Sequence, residues 1–296
     1  MSASTVAPTE HHRMSAGRWT RELGWRHLIG VIFVVYAAFP LVYLVSAALS
    51  PGGTLTGSNS LFSEVTGSNF QTLTASTKFW TWLGNSMVIS ISSSVGAMLL
   101  GAAAAYAFSR FRFSGRRASL TGLLIIQMFP QMLAFVAIFL LLLGLGEVFP
   151  ALGLNGKLGL IAVYLGGALG SNTFLMYGFF NTVPRELDEA AKIDGASHAQ
   201  IYWTIILRLV APILAVVTLL AFISTFGEFI VARIVLPAES SWTVAVGLYS
   251  LVSDQLAANW GVFAAGAVIA ALPVLLLFLF LQKYIVGGLT AGSVKA

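Results

Sequence analysis

Glu189-Ala190-Ala191-Lys192-Ile193-Asp194-Gly195-Ala196-Ser197 is a polar, small-residue stretch in a chain that otherwise reads as membrane. It continues through Ile201, Ile205 and Leu207 to Pro212, between two long apolar runs. A short helix broken by glycine and tethered between two spans has the form of something gripped by another protein.

Outward from this stretch, composition sets the class. Of the 296 residues, 57% are hydrophobic and only 9% charged, against roughly a quarter charged in soluble domains. Mean hydropathy is +0.87. Six runs approach or exceed the roughly 20 apolar residues that cross a hydrocarbon core: Leu28–Leu49, Met87–Ser109, Leu120–Leu143, Leu158–Phe180, Leu209–Ile230 and Val262–Leu281. Lipid offers the backbone no hydrogen-bond partner, so the expected fold is all-α: a polytopic membrane protein with six transmembrane helices. The runs are too long and continuous for the alternating strands of a β-barrel. The chain has no cysteine, which excludes disulfides, thiolate metal sites and thiol catalysis.

The pI of 9.6 reflects topology signals, not a nucleic-acid surface. Arg13, Arg18, Arg21 and Arg26 precede the first run, and Arg110, Arg112, Arg116 and Arg117 follow the second. Arg185 and Lys192 follow the fourth, and Lys283 and Lys295 the sixth. The opposite loops hold only Lys78, Lys157 and Arg233. Positive loops stay inside, so both termini are expected in the cytoplasm of a cell-membrane protein. Trp80, Trp82, Trp242 and Trp260 then fall at outer ends as an aromatic belt, and Trp25 and Trp203 near inner ends. The expected organisation is a cytoplasmic leader at 1–27, a six-helix domain at 28–286 whose cytoplasmic loop spans 181–208, and a tail at 287–296. The first run is too long for a signal-peptide core and is read as a retained span.

Within that loop, Thr182 is the expected helix N-cap, with Pro184, Arg185 and Glu186 as the first turn. Leu187, Ala190, Ala191 and Asp194 share a face at helical spacing, small enough for a partner to approach closely. Gly195 suits a helix end, and a second helix can start near Ser197. An amphipathic helix on the headgroups, or a connector packed on the bundle, fits these residues equally well.

Glu189, Ala190, Ala191 and Gly195 resemble the Glu-Ala-Ala loop of binding-protein-dependent ABC importer permeases, and Asp194-Gly195-Ala196 resembles its form in sugar importers. Asn85-Ser86, Ala105-Tyr106-Ala107-Phe108, Arg112-Phe113, Gln127-Met128-Phe129-Pro130, Tyr164-Leu165-Gly166-Gly167 and Gly288-Leu289-Thr290-Ala291-Gly292 extend the likeness along nearly the whole chain. Together they resemble the maltose-type, MalG-like branch of the family. One departure is Leu207-Arg208, where the family usually has Leu-Pro; Pro212, one turn on, remains to set a bend.

The resemblance implies a type I importer permease. Glu189, Ala190, Ala191, Asp194 and Gly195 would form its ATPase-coupling helix, and Gly288, Leu289, Thr290 and Gly292 an ATPase-contacting tail. The outer loop carrying Tyr249, Asn259 and Trp260 would meet substrate or binding protein. Implied partners are a second, nonidentical permease subunit, an ATPase dimer and an extracytoplasmic sugar-binding protein, with membrane lipid around the spans. The substrate class implied is maltose, maltodextrin or trehalose-like oligosaccharides; glycerol phosphate or a monosaccharide is the alternative.

No phosphate-binding G-x-x-x-x-G-K-[ST] motif occurs, since Gly156-Lys157 is followed by Leu158. The chain is therefore expected to be no enzyme and to carry no cofactor, with ATP and magnesium on the partner ATPase. No pair of histidines is placed as metal ligands. Glu228, late in the fifth run, reads as an interfacial or locally paired carboxylate. Gln127, Gln131 and Asn172 can face a cavity or bond between helices. An ion-coupled secondary carrier is the rival class, but it would want carboxylates near mid-span.

Overall fold

Apolar runs that must pair their own backbone groups become helices, and among the described residues of a computed structural model the chain is helical with no strand. The structure describes residues 17, 20–51, 61–62, 64–129, 131–253 and 259–291, the side chains of 131–132 and 285–291 excepted. A π turn, Thr20–Gly24, leads into α1 (Trp25–Leu49). Then come α2 (Ser68–Ser76), α3 (Phe79–Arg110), α4 (Arg116–Gln127), α5 (Phe135–Val148) and α6 (Lys157–Phe180). The polar stretch forms α7 (Glu186–Ile193) and α8 (His198–Leu209), the latter with a π segment at Ile201–Ile206. The chain continues in α9 (Ala211–Phe226), α10 (Ile230–Val235), α11 (Val244–Ser250) and α12 (Trp260–Ala291).

Among the described residues, four helices are long and apolar enough to cross a membrane: Thr20–Leu49, Phe79–Arg110, Lys157–Phe180 and Trp260–Tyr284. The expected spans at Leu120–Leu143 and Leu209–Ile230 are interrupted helices rather than continuous ones, and the bent pair over the second makes a fifth span when taken as one. The first is two helices: α4 ends at Gln127, Met128 and Phe129 tighten into three-residue turns, and α5 starts at Phe135. The break falls beside Pro130 in the sequence, where a ring without an N–H disfavours helix in the preceding residue. The second is the bent pair α8 and α9, 79° apart.

α3 is central and packs along α6 and α9. Between Ile89 and Tyr106 its buried face is made of small residues, Ser90, Ser93, Ser94, Ala97, Gly101, Ala102 and Ala105, which lets neighbouring backbones approach closely. The core has two ends. One gathers the end of α1, the starts of α3 and α12, the end of α9, and α11, around Phe79, Trp82, Phe222 and Val262. The other gathers the ends of α3 and α6 with α7, α8 and the start of α9, around Tyr106, Met176, Phe180 and Ile206.

Trp80, Trp82, Trp242 and Trp260 do collect at the first end, but Trp82 does not belong to a lipid-facing belt. It is buried, with its ring 5.9 Å from Trp242. α1 faces outward along most of its length, with Phe33 and Tyr36 at 67% and 78% exposure. Such a surface suits lipid or another apolar helix.

Candidate functional site

The glycine-broken stretch is held at the second end of the bundle. Val183 is buried in the core there, and α7 begins at Glu186. Three acids in its first turn, Glu186, Asp188 and Glu189, and Lys192 in its last suit the helix dipole. Thr182 is not the N-cap: its Oγ1 donates back to Phe179 O at 2.8 Å, closing α6. Gly195 has φ +83°, the left-handed conformation that only glycine adopts readily. Ala196 N donates to Ala191 O at 2.9 Å and Gly195 N to Lys192 O at 3.0 Å. These two bonds make a full Schellman stop.

Ser197 then opens α8 with a capping box: Gln200 N donates to Ser197 Oγ, and Ser197 N to Gln200 Oε1 at 2.7 Å. Arg208 lies within helical backbone, and the break comes at Val210, where Pro212 starts α9. Proline is favoured at such a start because no donor is wasted.

The faces of α7 divide sharply. Asp188 and Ala191 are buried, and Ala191 packs in the bundle core. Leu187, Glu189, Ala190, Ile193, Asp194 and Gly195 are exposed, with Ile193 at 87%. Four of the five expected coupling residues thus share the open side, and Ala191 turns inward. A Cβ on Gly195 would meet no atom within 4 Å.

Sequence reasoning missed the anchorage of this helix. Arg110 Nε lies 2.6 Å from Asp188 Oδ2, with the two side chains at 5% and 8% exposure. Arg110 also donates to Val183 O at 3.0 Å, while Arg185 donates to Ser109 O at 2.9 Å. Ser109 Oγ donates to Asn181 Oδ1 at 2.8 Å. Arg110 read as a topology charge and Asp188 as a first-turn acid; their separation of 78 positions left no local signal of the pair.

At the opposite end, Glu228 is locally paired. Tyr164 OH donates to its Oε2 at 2.6 Å, and Val231 N and Ala232 N donate to its two oxygens at 2.8 and 2.9 Å. It therefore caps α10 and ties it to α6. Asn172 sits between helices, with its Cβ facing Gly101 of α3. Gln127 Nε2 donates to Leu123 O at 3.2 Å within its own helix. The side chain of Gln131 lies outside the described residues.

Of the expected outer contacts, Tyr249 and Trp260 have packing partners within the chain. Tyr249 packs its ring 4.4 Å from Phe229, Trp260 stacks on Phe263, and Asn259 is exposed at the start of α12. Of the expected tail, Gly288, Leu289 and Thr290 are helical in α12. The side chains of Leu289 and Thr290 lie outside the described residues, as does Gly292. No group of three His, Asp or Glu side chains among the described residues is placed to hold a metal.

Residues 97–290 match the family described as binding-protein-dependent transport system inner membrane component. The chain is 39% identical over 285 residues to the galactooligosaccharides transport system permease protein GanQ of Bacillus subtilis (strain 168), covering 95% of this chain and 98% of that one. It is 40% identical to the maltodextrin transport system permease protein MdxG of the same organism, covering 91% and 95%. The maltose/maltodextrin transport system permease protein MalG of Escherichia coli (strain K12) is 38% identical, covering 91% and 94%. The fold also resembles a chain from a bacterial ABC transporter involved in the import of the acidic polysaccharide alginate, with TM-score 0.73 and 24% identity over 92% of this chain and 99% of that one.

Proposed function

The chain belongs to the binding-protein-dependent transport system inner membrane components, and on that premise we propose that it is an ABC importer permease subunit carrying oligosaccharides of the maltodextrin or galactooligosaccharide class. The observation that carries this reading is likeness to such permeases at 38–40% identity over at least nine-tenths of both chains. It is a multi-pass membrane protein whose proposed seat is the cell membrane, both termini in the cytoplasm. The basic residues Arg110, Arg116, Arg185 and Lys192 all attach to the α7 end of the bundle, which supports placing that end inside.

Its working partners, on this proposal, are a second permease subunit, an ATPase dimer and an extracytoplasmic sugar-binding protein. ATP and magnesium belong to the ATPase. The open side of α7, with Glu189, Ala190, Asp194 and Gly195, docks on that ATPase. Its movement on ATP binding and hydrolysis switches the bundle between inward and outward access. The tail from Gly288 to Gly292 makes a further ATPase contact, and the outer segment with Tyr249, Asn259 and Trp260 meets the binding protein or its sugar.

The test is ATP hydrolysis by the purified complex, with binding protein and each candidate ligand added in turn. Stimulation by maltodextrin or galactooligosaccharide is expected. Stimulation only by glycerol phosphate or a monosaccharide would overturn the substrate class. Hydrolysis by this chain alone, or uptake driven by an ion gradient without ATP, would overturn the permease assignment.

A further inference from the structure

From the buried junction between α3 and α7 we infer that Arg110 and Asp188 are positioning residues, which make α7 move as one body with α3 during transport. The inference rests on the coupling role proposed for α7. In sequence, α7 is tethered only to α6 and α8, each through a short turn. The charged contacts instead join it to the last turn of α3.

The junction is reciprocal. Arg110, from α3, pairs with Asp188 and donates to the Val183 carbonyl. Arg185, beside α7, donates to the Ser109 carbonyl at the C-terminal end of α3, where helix carbonyls lack internal partners. Ser109 Oγ reaches Asn181 from the same turn. Asp188 of α7 and the turn that leads into it, at Asn181, Val183 and Arg185, are thus fastened to the same end of α3.

The chemistry is costly for mere filling. Asp188 Oδ1 is buried without a hydrogen-bond partner, so the carboxylate relies on Arg110. A buried ion pair is often no more stabilising than apolar residues of similar volume. What it supplies is position: Arg110 Nε is ion-paired with the Asp188 carboxylate while Nη2 of the same guanidinium donates to the Val183 carbonyl, so one rigid planar group is held from two sides. α3 in turn packs along α6 and α9, so a displacement of α7 reaches the centre of the bundle directly.

The experiment uses the complete reconstituted complex and exploits the absence of cysteine. Spin labels at Ala103→Cys on α3 and Glu186→Cys on α7, both exposed, report the junction. A second pair, Glu186→Cys with Leu276→Cys on α12, is the reference. Distances are measured without nucleotide and with the ATPase trapped by ADP and vanadate. The first distance is expected to stay constant while the second shifts. With Asp188→Asn, the first distribution broadens, and uptake per ATP hydrolysed falls roughly tenfold, in the range of a usual coupling free energy.

Arg110→Met with Asp188→Leu removes both charges while keeping an apolar junction, and so guards against a fold that fails from one unpaired charge. Its uptake per ATP is expected to stay low. A first distance that shifts in wild type, wild-type coupling in Asp188→Asn, or full coupling in the apolar pair would each overturn the inference. If the wild-type complex takes up no oligosaccharide, the importer reading fails instead.

Discussion

The amide of Ala196 reaches back to the carbonyl of Ala191 at 2.9 Å, over a Gly195 held at φ +83°. That bond ends α7 and turns the chain into α8, while Leu187, Glu189 and Ile193 stay open to a partner.

Replacing Gly195 therefore tests backbone and docking separately. Gly195→Ala should cost about 1 kcal/mol through its left-handed φ, and no neighbour in the chain resists the methyl. Gly195→Asp adds bulk and charge on the docking side. Both variants should reach the membrane in wild-type amounts, whereas Gly195→Asp should lose ATPase pull-down and sugar uptake. Normal uptake by Gly195→Asp would make this loop a plain connector.

Glu228 should matter for stability. Its carboxylate accepts from Tyr164 and from the first-turn amides of α10. Glu228→Ala removes the acceptor from three part-buried donors and should cost about 1–3 kcal/mol, read as a lower unfolding temperature of the detergent-solubilised complex. Tyr164→Phe should cost less, since the two amide bonds survive. Equal Tm values for all three proteins would remove Glu228 from any structural role.

Gly247 faces the ring of Trp82, so a Cβ there would overlap rigid indole atoms. Gly247→Ala should destabilise this end of the bundle by about 1–3 kcal/mol, as overpacking does. Trp82→Leu in the same chain should recover part of the loss. Fluorescence-detected gel filtration of the paired variants provides the measurement, and wild-type behaviour of Gly247→Ala would contradict the packing.

Much of this was legible in sequence for physical reasons. Helical fold, glycine stop and the start at Ser197 are local: each depends on residues within one or two turns. The breaks were harder. Leu120–Leu143 is almost continuously apolar, and hydropathy cannot register that α4 ends at Gln127 and α5 starts only at Phe135. The burial of Asp188 and Ala191 was hidden because α7 carries apolar residues on both faces. Only the packing of Val183, Ile201 and Ile206 beside Tyr106 decides which face turns in. Arg110 with Asp188, like Tyr164 with Glu228, joins residues distant in sequence.

Topology is open to a direct check. Reporter fusions after residues 65 and 250 should read outside, and those after residues 114 and 195 inside. A reporter after residue 195 that reads outside would remove α7 from the ATPase side and with it the coupling account.

The most direct test is uptake of labelled oligosaccharide into vesicles holding this chain with its partner permease and ATPase, with binding protein outside and ATP supplied to the ATPase side. Wild type should accumulate maltodextrin or galactooligosaccharide only when ATP is present. Glu189→Ala, assembled to the same level, should hydrolyse ATP with little uptake or lose its ATPase. Accumulation without ATP, or undiminished uptake by Glu189→Ala, would contradict the account.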